Sequence, residues 1–201
     1  MTLRRLVLWR HGETDYNAAL RMQGQLDSQL TAKGLGQARR AAPILAALRP
    51  DVLVTSDLSR AADTAAVLAA VTLLPLRVDK RLRETHLGQW QGMTHDEVEV
   101  GWPGALQIWR GNSECAPPGG ETRVDVAARA AHVVEELDDG GQATAVLCTH
   151  GGLIAGLTPR LLGVPVSSWP VFGGIGNCQW TVLLRRGPRW RLESYNTAAP
   201  V

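Results

Sequence analysis

The chain has 201 residues, 45% hydrophobic and 20% charged, with 21 Lys plus Arg against 19 Asp plus Glu for a formal net charge of +2. That size supports one full hydrophobic core without disulfide or metal staples, and the composition excludes collagen-like and disordered chains. No apolar run approaches the roughly 20 residues needed to cross a bilayer, and the near-balanced charge lacks the basic excess of a duplex-binding protein. The stretch Met1 to Arg10 is basic and then apolar, but Leu6 to Trp9 is too short for the apolar part of a signal peptide. A cytoplasmic protein that engages neither nucleic acid nor membrane is expected. Cys115, Cys148 and Cys178 are odd in number and lack C-x-x-C spacing, which predicts free structural thiols in a reducing compartment.

Along the chain, short apolar runs alternate with helical patterns, the signature of an α/β fold. Leu6 to Trp9 predicts a buried strand, and Thr31 opens a helix to about Leu48, closed by Pro50. Val52 to Val54 predicts a second buried strand, followed by an Ala-rich helix to about Val71 capped by Ser56 or Asp57. Leu76 to Asp79 suits a third strand. Leu87 to Gly120, with Trp90, Trp102 and Trp109 among glycines and prolines, predicts short helices and loops. A helix from Glu121 or Thr122 to about Leu137 follows, with His132 as a satisfied structural histidine among its alanines and valines. Ala143 to Cys148 is another strand and Gly151 to Leu162 another helix. Cys178 to Leu184 and Trp190 to Tyr195 can pair as a hairpin at a sheet edge. No linker or repeat divides the chain, so one domain over residues 1–201 is expected, a three-layer sandwich with a mostly parallel central sheet.

Three strand ends carry related residues. Leu6 to Trp9 is followed by Arg10-His11-Gly12, Val52 to Val54 by Thr55-Ser56-Asp57-Leu58-Ser59-Arg60, and Val146 to Cys148 by Thr149-His150-Gly151-Gly152. Ligands of open parallel sheets bind beyond the carboxyl ends of the strands. If the three runs are neighbours, two arginines and two histidines converge there with helix N–H groups, a combination suited to a phosphoryl group. Other routes to phosphate chemistry are absent: there is no G-x-x-x-x-G-K-[ST], and no cysteine is followed six residues later by arginine. His95-Asp96-Glu97 lacks a second histidine at helical spacing, so no metal site or cofactor is expected. Histidine remains as the nucleophile.

Arg10-His11-Gly12-Glu13-Thr14 with Asn17 resembles the signature of the histidine phosphatase superfamily, the phosphoglycerate-mutase-like fold. So do Ser56 to Ala61 with Thr64-Ala65, Leu82-Arg83-Glu84 with Gly88 to Gly92, and Thr149 to Gly152. Asp15-Tyr16-Asn17, Arg21 to Asp27, Arg81 to Gly88, and Gly119-Gly120-Glu121 with Arg123 to Arg129 are further similar to the actinobacterial glucosyl-3-phosphoglycerate phosphatases. The resemblance implies that His11 becomes phosphohistidine, that Arg10, Arg60 and His150 hold the phosphoryl oxygens with help from Asn17 and the Gly151 N–H, and that Glu84 is the proton donor. It places Gln23 and Gly24 near the substrate mouth and carries a homodimer as a family-level expectation. Gln91 departs from the family's usual glutamate and receives no role.

Physical chemistry adds detail. His11 must attack as neutral imidazole, favoured by the nearby arginines, with its other nitrogen donating to a backbone carbonyl. Glu84 serves as acid if burial or the substrate's charge favours its protonated form, the alternative being a surface partner of Arg81 or Arg83. His86 is expected at the mouth, His95 on a solvated helix face, and Trp102 and Trp109 in core or dimer contact rather than a sugar-stacking wall. The function expected is metal-independent hydrolysis of a small acidic phosphorylated metabolite, for which the resemblance implies glucosyl-3-phosphoglycerate. Mutase-type transfer, a broad-specificity sugar or metabolite phosphatase, and a non-enzymatic phosphate-binding module are the alternatives.

Overall fold

A computed structural model describes residues 3–200, so Met1 and Thr2 of the amino-terminal stretch lie outside it. Six strands form one sheet: β1 (Arg5–Arg10), β2 (Val52–Thr55), β3 (Leu76–Val78), β4 (Thr144–Thr149), β5 (Trp180–Arg186) and β6 (Arg189–Thr197), in the spatial order β3-β2-β4-β1-β5-β6. The strands from β3 to β1 are parallel, and β5 and β6 add an antiparallel hairpin at the edge, as the sequence predicts.

Helices cover both faces, which is why the central strands read as unbroken apolar runs. Leu6 and Leu8 of β1 point to one face and pack with Val126, Ala130 and Val134 of α6 (Arg123–Asp139) and Leu153 and Leu157 of α7 (Gly151–Leu162). Val7 and Trp9 alternate to the other face, against Ala38, Ala41 and Leu45 of α2 (Ala32–Ala46) and Ala61, Ala65 and Leu68 of α3 (Ser59–Thr72). The small alanines let α2 and α3 lie close to the sheet. The approach is tightest where α2 begins: a Cβ on Gly12 would sit 2.5 Å from the Gly34 carbonyl oxygen, so backbone packs on backbone beside His11.

Between β3 and α6 the chain forms α4 (His95–Gly101), α5 (Ala105–Gly111) and single 3-10 turns, with one further short helix, α1 (Asp15–Ala18), after β1. Trp90 is buried at the centre of this region, with Trp102 and Trp109 rings at 6.2 and 5.9 Å. Trp102 and Trp109 pack half-buried against a cluster of Trp90, Met22, Leu87, Val98 and Leu106.

Two expectations are corrected. Neither Ser56 nor Asp57 caps α3: Ser56 Oγ accepts from the Leu58 N–H, Asp57 is taken by Arg83, and the first turn is instead capped from a distant loop, where Asp27 Oδ1 accepts from Ser59 N at 2.9 Å and Ser59 Oγ at 2.7 Å. His132 is exposed on the outer face of α6 and pairs with Glu135 at 3.0 Å, because its neighbours Ala131 and Val133, not it, face the sheet. All three cysteines are free. Among the described residues no helix is long and apolar enough to cross a membrane.

Candidate active site

Sheet register builds the site. Arg10 of β1 lies opposite Thr149 of β4, so His11 and His150 leave adjacent strands side by side, with ring centroids 5.2 Å apart. Thr55 of β2 lies opposite Cys148, and α3 brings Arg60 back over the same strand ends. Beyond them opens a cavity of about 600 Å³, lined on its inner side by Arg10, His11, Asn17, Gln23, Gly24, Arg60 and Glu84.

The hydrogen bonds set the state of both rings. His11 Nδ1 lies 2.7 Å from the Gly12 carbonyl oxygen, which can only accept, so Nδ1 carries the proton and Nε2 is left with its lone pair. For His150 the order reverses: Arg60 Nε donates to Nδ1 at 3.3 Å, so the proton sits on Nε2, which is buried and has no partner among the described residues. Both pKa values lie well below the ordinary 6.5, first because burial disfavours the charged ring and then because of Arg10 and Arg60 at His11, and of Arg60, His11 and Arg10 at His150. Burial thus contributes more than the arginines that the sequence brought to notice. Two imidazoles in contact end up as one acceptor and one donor.

Arg60 is fully buried. Besides His150 it donates to the carbonyls of Gly24 and Leu26, both at 2.7 Å. Burial lowers its pKa to about 10, which leaves it charged at neutral pH. Arg10 donates through Nη1 to the Ile175 carbonyl, while its buried Nε has no partner among the described residues. Two side-chain amides are anchored by their oxygens. Asn17 Oδ1 accepts from the Thr14 N–H and from Asn177 Nδ2, and Gln23 Oε1 accepts from Ser28 Oγ at 2.5 Å. Each therefore keeps its NH2 group as a donor on the cavity wall.

Glu84 pairs with neither neighbouring arginine: Arg81 is held by Asp79 and Glu136, and Arg83 grips Asp57 with two bonds. Its carboxylate accepts instead from the N–H groups of Thr85, Gly152 and Leu153 at 2.8, 3.0 and 3.1 Å. The N–H groups of Gly152 and Leu153 in the first turn of α7 therefore receive the carboxylate, and the Gly151 N–H, the one expected at the phosphoryl group, is not among its partners. Gly151 lies against the Arg10 side chain, and Gly152 reaches the cavity wall. His150 does not itself line the wall, although its ring centroid lies 5.2 Å from that of His11. His86 does not reach the cavity either, since its Nδ1 faces the Gly88 N–H at 3.2 Å. His95 is exposed, as expected, and also lines the mouth, together with Trp109. Among the described residues no three His, Cys, Asp or Glu side chains group as metal ligands.

Several supporting residues escaped the sequence reading. Asn177 Nδ2 bridges the His11 and Gly12 carbonyls to Asn17, and Thr64 Oγ1 accepts from the Gly12 N–H at 3.0 Å. Thr64 stood in a recognisable motif, whereas nothing local marks Asn177. Gln91 Oε1 accepts from the Gln25 N–H at 2.7 Å and so fastens the loop whose Gly24 carbonyl holds Arg60.

The family model of the histidine phosphatase superfamily (branch 1) matches residues 6–198. The chain belongs to the histidine phosphatase superfamily. Within it, the glucosyl-3-phosphoglycerate phosphatase of Mycolicibacterium vanbaalenii is 50% identical over 100% of this chain and 98% of its own length. The protein of the same name from Mycobacterium tuberculosis is 48% identical, again over 100% of this chain and 98% of its own. A solved mycobacterial glucosyl-3-phosphoglycerate phosphatase in complex with VO3 superposes with a TM-score of 0.95 at 50% identity, covering 97% of this chain and 100% of that one. Each of the four sequence blocks contributes to the cavity lining: Arg10 and His11, Arg60, Glu84, and Gly152.

Proposed function

We propose that the chain is a metal-independent phosphomonoesterase that works through phosphohistidine at His11, with glucosyl-3-phosphoglycerate as its substrate. The observation that carries the reading is the tautomer of His11: Nδ1–H is tied to the Gly12 carbonyl and the free Nε2 stands beside Arg10 and Arg60. A phosphoryl group in the cavity supplies the acceptors that Arg10 Nε and His150 Nε2–H lack, and the Asn17 and Gln23 amides donate to its remaining oxygens. The substrate assignment rests on the names of the relatives and on a cavity of about 600 Å³, well within the range that encloses small metabolites.

His11 Nε2 attacks phosphorus as the bond to the leaving oxygen breaks. Charge developing on the equatorial oxygens meets Arg10, Arg60 and the His150 donor. The leaving alkoxide takes a proton from Glu84. Oε1 of that carboxyl already accepts from two backbone N–H groups and Oε2 from one, so Oε2 has the spare lone pair for the proton. Having given up its proton, the carboxylate then draws one from the water that attacks phosphohistidine. Acid–base help contributes about 10² to 10⁴ of an acceleration that reaches about 10²¹ for phosphate monoesters, so charge stabilisation and the covalent route carry the rest.

One catalytic domain over the whole chain, a cytoplasmic location and a homodimer complete the proposal, the location on the free thiols and the dimer on the family resemblance. Phosphate release from a panel of phosphorylated sugars, glycerates and amino acids, ranked by kcat/KM, tests it. Release that vanishes in His11→Ala supports the reading. Equal residual release in both proteins, or interconversion of phosphoglycerate isomers without phosphate release, overturns it.

A further inference from the structure

The sequence blocks Gly119 to Glu121 and Arg123 to Arg129 have no part in the chemistry above, yet they converge on the loop that carries Glu84. Arg129, on α6, donates from Nη1 to the carbonyls of Arg81 and Arg83, both at 2.7 Å, and from Nη2 to the carbonyl of Glu84 at 2.8 Å. Its Nε and second Nη2 donor go to the two carboxylate oxygens of Glu121, both at 2.9 Å. A guanidinium has five N–H donors and all five are used, so none is left for a ligand. Glu121 continues the grip on the far side of Glu84: its Oε2 accepts from the His86 N–H at 2.8 Å and its own N–H donates to the His86 carbonyl at 2.8 Å. A Cβ on Gly120 would lie 2.5 Å from that carbonyl oxygen, so the two backbones run in contact.

The loop needs this. Its 3-10 turn ends at Leu82, and the next backbone groups belong to no helix or strand, so their polar atoms must find partners elsewhere. Arg129 collects three carbonyls and Glu121 both polar groups of His86, while the Glu84 carboxylate is seated on α7. We propose that Arg129, braced by Glu121, is a positioning residue that fixes the backbone of Glu84 so that its carboxyl meets the leaving oxygen. This rests on the acid role of Glu84 proposed above. A misplacement of about 1 Å at a reacting group costs about 100-fold, so release of three carbonyls on one side of the acid is a kinetic event even where the fold survives.

The test uses leaving groups. The p-nitrophenolate of p-nitrophenyl phosphate departs without a proton, whereas the alkoxide of an alkyl phosphate such as glycerol phosphate needs one. Arg129→Met is expected to lower kcat on the alkyl ester by at least about tenfold more than on the aryl ester, with KM for both nearly unchanged. Arg129→Lys, which keeps the charge and some donors, recovers part of the loss. In a Glu84→Gln background Arg129→Met adds no further selective loss, because the acid it positions is gone. Equal losses on both esters, or a full additional selective loss in the double variant, overturn the positioning role. Should Arg129→Met fail to fold, the same ratio in Arg129→Lys and Glu121→Gln decides. A selective loss in Glu84→Gln without one in these variants overturns the positioning role alone, whereas equal losses on both esters in Glu84→Gln overturn the acid role and the positioning role with it.

Discussion

Gly152→Ala separates the chemistry of the site from its stability. A Cβ at this position would lie 2.5 Å from Glu84 Oε1 and 2.8 Å from Thr85 Oγ1, where ordinary contact begins at 3.4 Å. Position 152 lies in the first turn of α7, and its glycine has no positive φ, so the backbone accepts alanine and gains up to about 1 kcal/mol of helix propensity. What yields is the free end of the Glu84 side chain, which must retreat by about 0.9 Å, taking the carboxylate from the N–H groups of Gly152 and Leu153. Leaving those donors poorly paired costs about 1–3 kcal/mol, so the net change in folding stability stays within about 2 kcal/mol. A displacement near 1 Å at the acid, by contrast, is expected to lower kcat for an alkyl phosphate by about 100-fold, or about 2.7 kcal/mol of barrier, with a much smaller loss on p-nitrophenyl phosphate. Phosphate-release kinetics on the two esters and a thermal melt measure both quantities. A folded Gly152→Ala enzyme with undiminished turnover of the alkyl ester would refute the placement of Glu84 as the acid.

Three further outcomes follow from the same geometry. The folded-state pKa values of His11 and His150 both lie below 6.5, so under that pH the unfolded chain binds more protons than the folded one. Stability is then full above about pH 6.5 and falls as pH drops below it, by up to about 1.4 kcal/mol per pH unit for each histidine; urea midpoints that do not move across this range would contradict the neutral pair. Asp27→Ala removes the acceptor that caps α3 at Ser59 and is expected to cost about 1 kcal/mol in denaturant unfolding, and an unchanged midpoint would show that the cap lies elsewhere. Turnover is expected to survive EDTA, and loss of activity restored only by a divalent ion would break the proposal that arginines supply the positive charge.

The sheet and its order of helices were legible because each element carries its own period: the apolar runs of β1, β2 and β4, and the alanine-rich faces of α2, α3 and α6. The convergence of Arg10, His11, Arg60 and His150 was legible too, since strand ends of a parallel sheet share one edge. What stayed hidden depends on pairs with no local mark. The cap of α3 comes from Asp27, 32 residues away from Ser59, and so two good local candidates, Ser56 and Asp57, were chosen wrongly. His86 misses the mouth because an irregular loop has no period from which to predict where a side chain points. His132 misled for the opposite reason. Its neighbours obey the helical period, and the histidine falls on the outer face between them.

The same distinction explains the use made of α7. A helix amino terminus attracts an anion, and the sequence offered the phosphoryl group as the obvious one. The structure seats a carboxylate on the N–H groups of Gly152 and Leu153, and in the proposed mechanism the phosphoryl group is met mainly by side chains: two arginines, two amides and a histidine. That division suits an enzyme that must release inorganic phosphate. Backbone N–H groups hold the side chain of Glu84, while the charge facing the substrate sits on guanidiniums that are themselves fixed by the carbonyls of Ile175, Gly24 and Leu26. Positive charge is then in place before the substrate arrives, without reorganisation during the phosphoryl transfer. The neutral state of both histidines follows from their burial and from that charge, so the groups proposed to bind the phosphoryl oxygens also keep the proposed nucleophile unprotonated.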